Sequence, residues 1–364
     1  MAQSAPNRST ETLSIIDCDI HSQVLGDVDL APYLPDHIRE LKGTSGPGSM
    51  WSNPHGVNRR DVAPKDGETA YDVLCRKHFD KFDIDYGILN RGPLSLGVAA
   101  DTEHAVALAR AHNDELIDRW LDRDERFLGS LIVAPQDPER AATEIRRVGD
   151  HPRIVQVLFS SASGLGIPYG RRIFWPIYQA ATEVGLPVAV HPGTEGRGTA
   201  RPPTGAGYPS RYIEWHTTLP ANYIGHVTSL ITEGVFTEYP NLRFVCVEGG
   251  IAWVPHLMWR LDKNWKSLRV QTPWLEQPPS EYLREHVRFT TQPLPEPQRP
   301  EQLGQLLEMM HAEETLMYSS DFPHWDNDSP EFGLPALEPE LRRNIFVETA
   351  QQLYGLPDDP GSLS

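Results

Sequence analysis

Cysteine is scarce, long apolar runs are missing, and basic residues are outnumbered. Each shortage removes a class of protein. The three cysteines among 364 residues, Cys18, Cys75 and Cys246, show no paired spacing, so no disulfide framework is expected. Cys18 and Cys246 fall inside apolar runs, where a free thiol behaves as a small buried apolar group. That usage suits a reducing, cytoplasmic compartment. No apolar run approaches ~20 residues, and the polar segment 1–12 has no signal core, so neither a membrane span nor a secretion signal is expected. With 33 Lys and Arg against 50 Asp and Glu, the net charge of -17 lacks the basic footprint of a nucleic-acid or anionic-membrane surface.

What is present is an alternation of strand-like and helix-like segments. Candidate strands occupy 13–19, 85–90, 126–134, 153–159, 186–191, 243–248, 287–292 and 315–320. Helical patterns fill 70–82, 102–123, 137–149, 171–184, 221–238, 251–269, 300–312 and 338–354. The clearest, 102–123, places Ala105, Leu108, Ala109, Leu116 and Trp120 on one face, with Asp101 as its N-cap. Eight unbroken strand-then-helix units predict an α/β fold of the (β/α)8 TIM-barrel type. A doubly wound open sheet is the rival, but no Gly-rich phosphate turn follows Ile15-Ile16. One domain is expected over 13–356, with flexible ends at 1–12 and 357–364. Two connections are long: 22–69 after the first strand, and 192–220 after the fifth. Long loops on the catalytic face of a barrel act as lids or substrate walls, although packing or an oligomer contact is nearly as good an account of 22–50.

The chemistry gathers where apolar runs end. Leu13-Ser14-Ile15-Ile16 leads into Asp17-Cys18-Asp19-Ile20-His21; another run ends at His191, a third at Glu248-Gly249-Gly250, a fourth at Asp321. Strand residues two apart share a face, so Asp19 and His21 can reach one ion, with Asp17 a layer deeper, orienting a ligand. Asp19, His21, His191 and Asp321 form a mixed N/O set for one divalent metal ion. Zn²⁺ stands first, with Mn²⁺ or Fe²⁺ as rivals. Taken singly, His191 reads better as a hydrogen-bonded residue, Asp321 as a helix cap and Glu248 as a turn former. Their joint placement at strand ends favours the metal site. For contacts to a small-molecule substrate, the sequence offers His324, His216, Trp215, His226 and Arg59. Arg59 would clamp a carboxylate bidentately. Against these stand a packed helical role for His226 and a solvated loop charge for one of Arg59 and Arg60. Trp51 could join an aromatic wall, while Trp253 reads as core.

The chain resembles amidohydrolase family 2, the branch that includes aminocarboxymuconate-semialdehyde decarboxylase. The resemblance covers essentially the whole chain. It rests on Ile15-Ile16-Asp17-Cys18-Asp19-Ile20-His21, on Leu186-Pro187-Val188-Ala189-Val190-His191-Pro192-Gly193, on the segment Gly234 to Arg243, and on Tyr318-Ser319-Ser320-Asp321-Phe322-Pro323-His324. It implies a metal-dependent barrel enzyme, possible as a homodimer, in which Asp321 binds metal and shuttles protons. Asp19 stands where many relatives have a first His ligand. Glu248-Gly249-Gly250 replaces a His-Gly-Gly; a glutamate with a pKa raised by burial can serve there as the base. The leading expectation is a hydrolase of a small cyclic or unsaturated acid, amide or lactone, attacked by metal-activated water. The alternative is non-oxidative decarboxylation of an aromatic or conjugated acid with the same ligands. A barrel that has lost catalysis and only binds a ligand ranks last.

Overall fold

The computed structural model describes residues 14–22, 29–36, 58–331, 334, 337–358 and 362–363. Eight strands pair in chain order and in parallel: β1 (Ile16–Ile20), β2 (Tyr86–Leu89), β3 (Phe127–Ile132), β4 (Ile154–Ser160), β5 (Val188–His191), β6 (Phe244–Cys246), β7 (Val287–Thr290) and β8 (Leu316–Met317). The ring closes through backbone bonds between the first and last segments. Cys18 N donates to Tyr318 O (3.1 Å), His21 N to Phe322 O (2.8 Å), and Asp321 N to Asp19 O (3.1 Å). Those bonds place the end of β1 beside the segment after β8, where the site lies.

The strands form because their residues are short apolar runs rich in Val, Ile, Leu and Phe, buried on both faces, as parallel strands covered by helices must be. Outward-facing Phe127, Val157, Val188 and Phe244 pack against helix residues such as Trp120, Ile145, Ile177 and Leu230. Strand alternation puts Ile88, Leu128, Leu158, Ala189, Val245 and Met317 on the opposite side, in a second cluster filling the barrel. Asp101 caps the helix Thr102–Leu116 by accepting from His104 N at 3.0 Å.

The expected strands and major helices are present with shifted ends. Among the described residues, two α-helices of six or more residues lie where none was expected. Pro279–His286 precedes β7; its first residues, Pro278-Pro279, read as a breaker although Pro is well suited to a first helical turn. Tyr212–Thr217 lies within the loop after β5. All three cysteines are free and buried. Among the described residues no helix is long and apolar enough to cross a membrane. Segment 1–12, most of the first long loop and Trp51 lie outside the described residues. In segment 357–364, Pro357 O accepts from Tyr86 Oη (3.0 Å) and Asp358 from Gln351 (2.7 Å).

Candidate metal centre

Five buried groups meet at the carboxyl end of the barrel. Asp19, His21, His191, Glu248 and Asp321 each offer an atom, and these atoms all lie within 4.8 Å of one another. His21 Nε2 is 3.1 Å from Asp19 Oδ1 and 3.0 Å from Asp321 Oδ1. His191 Nε2 is 3.1 Å from Glu248 Oε2 and 3.2 Å from His21 Nε2.

Local backbone explains how four strand ends converge. A register irregularity in β1 between Asp17 and Ile20 shifts the alternation, and Asp19 and His21 face the cluster beyond it. His191 ends β5, and its Nδ1 lies 2.8 Å from Pro192 O, so an Nδ1–H donating there leaves Nε2 for the cluster. Glu248 and Asp321 have φ of 54° and 58°, the left-handed region that non-glycine residues rarely adopt. Each carboxylate is turned inward at a position where the strand has ended. Thr290 Oγ1 accepts from Glu248 N (3.0 Å), and Asp19 O accepts from Asp321 N, which hold those turns.

Electrostatics show what the cluster lacks. Burial works against charge on His21, yet Asp19 and Asp321 outweigh it and lift its pKa to about 10. His191 is raised well above the usual range by Asp19 and Glu248 against the same opposition. Burial and the neighbouring Asp321 push Glu248 up. Burial raises Asp321 too, but His324 and His21 bring it below the ordinary carboxylate value. Three carboxylates thus demand positive charge at a point faced by two imidazole nitrogens only 3.2 Å apart. Asp19 Oδ2 and Asp321 Oδ2 are buried without hydrogen-bond partners. One divalent cation fits that donor set: it would satisfy the orphaned oxygens and both Nε2 atoms together.

The cluster opens into a cavity of about 350 Å³, within the range of small-molecule sites. Its wall includes His324, His216 and Trp215, as well as Tyr212, Trp325, Asp326 and Arg197. His324 Nδ1 lies 2.6 Å from Asp321 Oδ1, and His216 Nε2 is 3.3 Å from Asp326 Oδ2. Two sequence candidates lie elsewhere. Arg59 is outside the cavity wall: Nε and Nη2 bond Asp61 at 2.9 and 3.0 Å, and Nη1 bonds Asn327 Oδ1 at 3.0 Å, so its fork is already engaged. His226 lines a neighbouring cavity, with Nδ1 accepting from Tyr169 N (3.2 Å) and Nε2 donating to Ser161 O (2.7 Å). Asp17 bonds on the helix side of β1: its Oδ1 accepts from Asp19 N (3.2 Å) and Ser320 N (3.0 Å) and Oδ2 meets His78 Nε2 at 2.6 Å. It is in register with Gly87 and outward-facing Phe127, on the helix side of β1 and not, as strand alternation predicts, on the face of Asp19. It acts on the ligand-bearing backbones rather than on a ligand ring. Trp253 is core, its Nε1 donating to Gly249 O and Gly250 O at 2.9 Å.

Sequence reasoning missed Asn90. Its Nδ2 donates to Asp19 Oδ1 (2.7 Å), and its Oδ1 accepts from Ser130 Oγ (2.5 Å). Gln156 Nε2 donates to Ser130 Oγ (2.8 Å) and Tyr354 Oη to Gln156 Oε1 (2.9 Å), so a polar chain runs through the barrel to Asp19. The available signal was a polar residue in or just past each of three successive apolar strands. Arg197 was also missed, inside a loop read only as a wall.

Residues 16–356 match the model of the amidohydrolase family Amidohydro_2. The chain is 26% identical over 272 residues to gamma-resorcylate decarboxylase of Rhodococcus jostii, covering 68% of this chain and 75% of that one. It is 24% identical over 267 residues to 2-amino-3-carboxymuconate-6-semialdehyde decarboxylase of Dictyostelium discoideum, covering 68% and 67%. The fold matches dihydroxybenzoic acid decarboxylase of Polaromonas, solved with manganese and 2-nitroresorcinol, at 20% identity and a TM-score of 0.66 over 94% of this chain and 97% of that one. The expectation of a hydrolase is overturned here: the matched relatives are named decarboxylases, and the ligand set could not separate the two reactions. The sheet, the strand-end cluster and the match from β1 to beyond the last helix have one reading: the chain belongs to the amidohydrolase family, Amidohydro_2.

Proposed function

We propose that this chain is a divalent-metal-dependent, non-oxidative decarboxylase (a carboxy-lyase) of a small aromatic or conjugated carboxylic acid, with one catalytic domain over residues 13–356. The observation that carries the reading is the buried group Asp19, His21, His191, Glu248 and Asp321 at the floor of an aromatic-walled cavity, in a family whose matched members include named decarboxylases. Asp19, His21, His191 and Asp321 would hold the ion, with Glu248 beside them. Manganese in the solved neighbours and a carboxylate-rich donor set put Mn²⁺ ahead of the Zn²⁺ expected from sequence.

A bound divalent cation would supply Lewis-acid polarisation of the substrate carboxylate and an adjacent hydroxyl. The chain's own residues supply the proton and the positioning. Decarboxylation of an aromatic carboxylate adds one proton to the ring carbon, breaks the carbon–carboxylate bond and returns its electron pair to the ring as CO2 leaves. Asp321 is suited to carry that proton, because His324 stands 2.6 Å from its Oδ1 as a refilling partner. Glu248, whose carboxyl is held above its ordinary range, keeps a proton more readily and is the second acid within reach. Tyr212, Trp215, His216 and Trp325 form linked rings with centroids 5.3–6.4 Å apart, a wall against which a flat substrate can stack.

The test is CO2 release by the Mn²⁺-loaded protein from 2-hydroxybenzoate, 2,6-dihydroxybenzoate and 4-hydroxyisophthalate. Metal-dependent CO2 from at least one is expected. Silence on all three, with the protein folded and loaded, would remove the decarboxylase reading for hydroxybenzoic acids.

A further inference from the structure

Arg197 is the only lysine or arginine among the described residues lining the cavity above the cluster. Every carboxylate in that wall already has a partner: Asp321 has His324 and His21, Glu248 has His191, and Asp326 has His216. Even Glu195, two residues away, is engaged elsewhere, accepting from Ser161 Oγ (2.6 Å) and Gly193 N (2.9 Å). Among the described residues, half-buried Arg197 has no hydrogen-bond or ion-pair partner for its guanidinium, in a chain of net charge -17. A solvated arginine in so acidic a protein would be expected to find a carboxylate.

The backbone around it is fixed on both sides. Gly196 has φ of 74°, and a Cβ there would meet Pro203 Cδ at 2.8 Å and Tyr208 Cε1 at 2.9 Å. Gly198 has φ of 51°, and a Cβ would lie 2.0 Å from Val98 O. Arg197 N donates to Thr194 O (3.1 Å), and Thr199 N to Val98 O (2.9 Å). Two left-handed glycines, each packed where no side chain fits, set the Arg197 backbone within a turn that would otherwise be free to swing. A fixed backbone bearing an unpaired planar fork suits bidentate capture of a carboxylate.

We propose that Arg197 is a specificity-determining residue that receives a second carboxylate of the substrate, making the preferred substrate an aromatic dicarboxylic acid. This rests on the decarboxylase reading and names its substrate class. One carboxylate leaves from beside the cluster as CO2 while the ring carbon takes a proton. The other stays on the product, held by Arg197.

The test compares 4-hydroxyisophthalate with 2-hydroxybenzoate, which differ by one carboxylate. Two readouts are taken on the Mn²⁺-loaded full chain: binding, from quenching of tryptophan emission, and kcat/KM for CO2 release. Wild type should favour the diacid by about 10- to 100-fold, the range of a charge-assisted paired contact. Arg197→Met should bring that ratio near one, and Arg197→Lys should fall between, since lysine keeps the charge but not the fork. The Lys variant decides the matter if the Met variant folds poorly. A wild type without preference, or a ratio unchanged in Arg197→Met, overturns the proposal. If the binding ratio behaves as stated but neither acid releases CO2, the Arg197 site stands and the decarboxylase reading falls. If CO2 is released and the ratio ignores Arg197, the reverse holds.

Discussion

Asn90 offers the sharpest perturbation of the centre, because it touches one proposed ligand and nothing in the cavity wall. Its Nδ2 donates at 2.7 Å to Asp19 Oδ1, the same oxygen that faces His21. A hydrogen bond to a buried carboxylate contributes about 1.5–3 kcal/mol. Asn90→Ala removes it and leaves Asp19 free to rotate. At about 1.4 kcal/mol per tenfold, that loss corresponds to a roughly 10- to 100-fold weaker metal complex, the range typical when a group supporting a ligand is deleted. Ser130→Ala serves as the graded control. It removes the bonds of Ser130 Oγ to Asn90 Oδ1 and from Gln156 Nε2 but touches no proposed ligand, so Asn90 keeps its grip on Asp19 and the loss should be about threefold or less. Competition with a chelator for Mn²⁺ measures both, with circular dichroism to establish folding. A folded Asn90→Ala protein whose Mn²⁺ dissociation constant stays within about twofold of wild type would refute the reasoning.

Further expectations follow from single contacts. Arg91 and Glu115 form a fully buried bidentate pair at 2.7 and 2.8 Å, so Arg91→Met should cost about 3–5 kcal/mol in urea unfolding, and a loss under about 1 kcal/mol would contradict it. Burial holds His226 at a pKa of about 4, against 6.5 for the free side chain. The folded state therefore resists a proton that the unfolded chain takes up. Stability should fall as pH drops from about 6.5 to about 4, by roughly 3 kcal/mol in that window, and His226→Gln should lack this component. Equal pH slopes for wild type and variant would count against it. Asp321→Asn should lower CO2 release by about 10²- to 10⁴-fold while much of the metal stays bound; full turnover would take Asp321 out of the chemistry. Glu248→Gln separates the second acid, since retained activity would make that side chain structural.

Much of the barrel could be read because its signals are local. Strand alternation alone puts Asp19 and His21 on one face, and the apolar runs before His191 and Asp321 mark the ends of β5 and β8. What could not be read depends on contacts between distant segments. Asn90 looks like the polar end of a strand until β1 and β3 stand on either side of it. Arg59 has the right chemistry for a substrate clamp, but Asp61 and Asn327 occupy its fork. His226 has a plausible ring in a plausible place, and two backbone groups use both nitrogens. The helix Tyr212–Thr217 is only six residues long, below the length at which periodicity carries information, yet it brings Tyr212, Trp215 and His216 to the cavity. The left-handed backbone at Glu248 and Asp321 leaves no trace in residue type. The reaction itself was misjudged for a chemical reason: water activation and ring protonation use the same ligands, and only the relatives' chemistry separates them.

The central claim is that Asp19, His21, His191 and Asp321, with Glu248 beside them at the barrel's mouth, hold one divalent cation needed for CO2 release. Stripping the purified chain with a chelator, restoring Mn²⁺ in steps, and following bound metal and CO2 from a hydroxybenzoic acid together tests it directly. The account predicts activity that vanishes on stripping and returns in proportion to occupancy, saturating near one ion per chain. CO2 release that persists without metal, or metal that binds equally well when His191 is alanine, would contradict it.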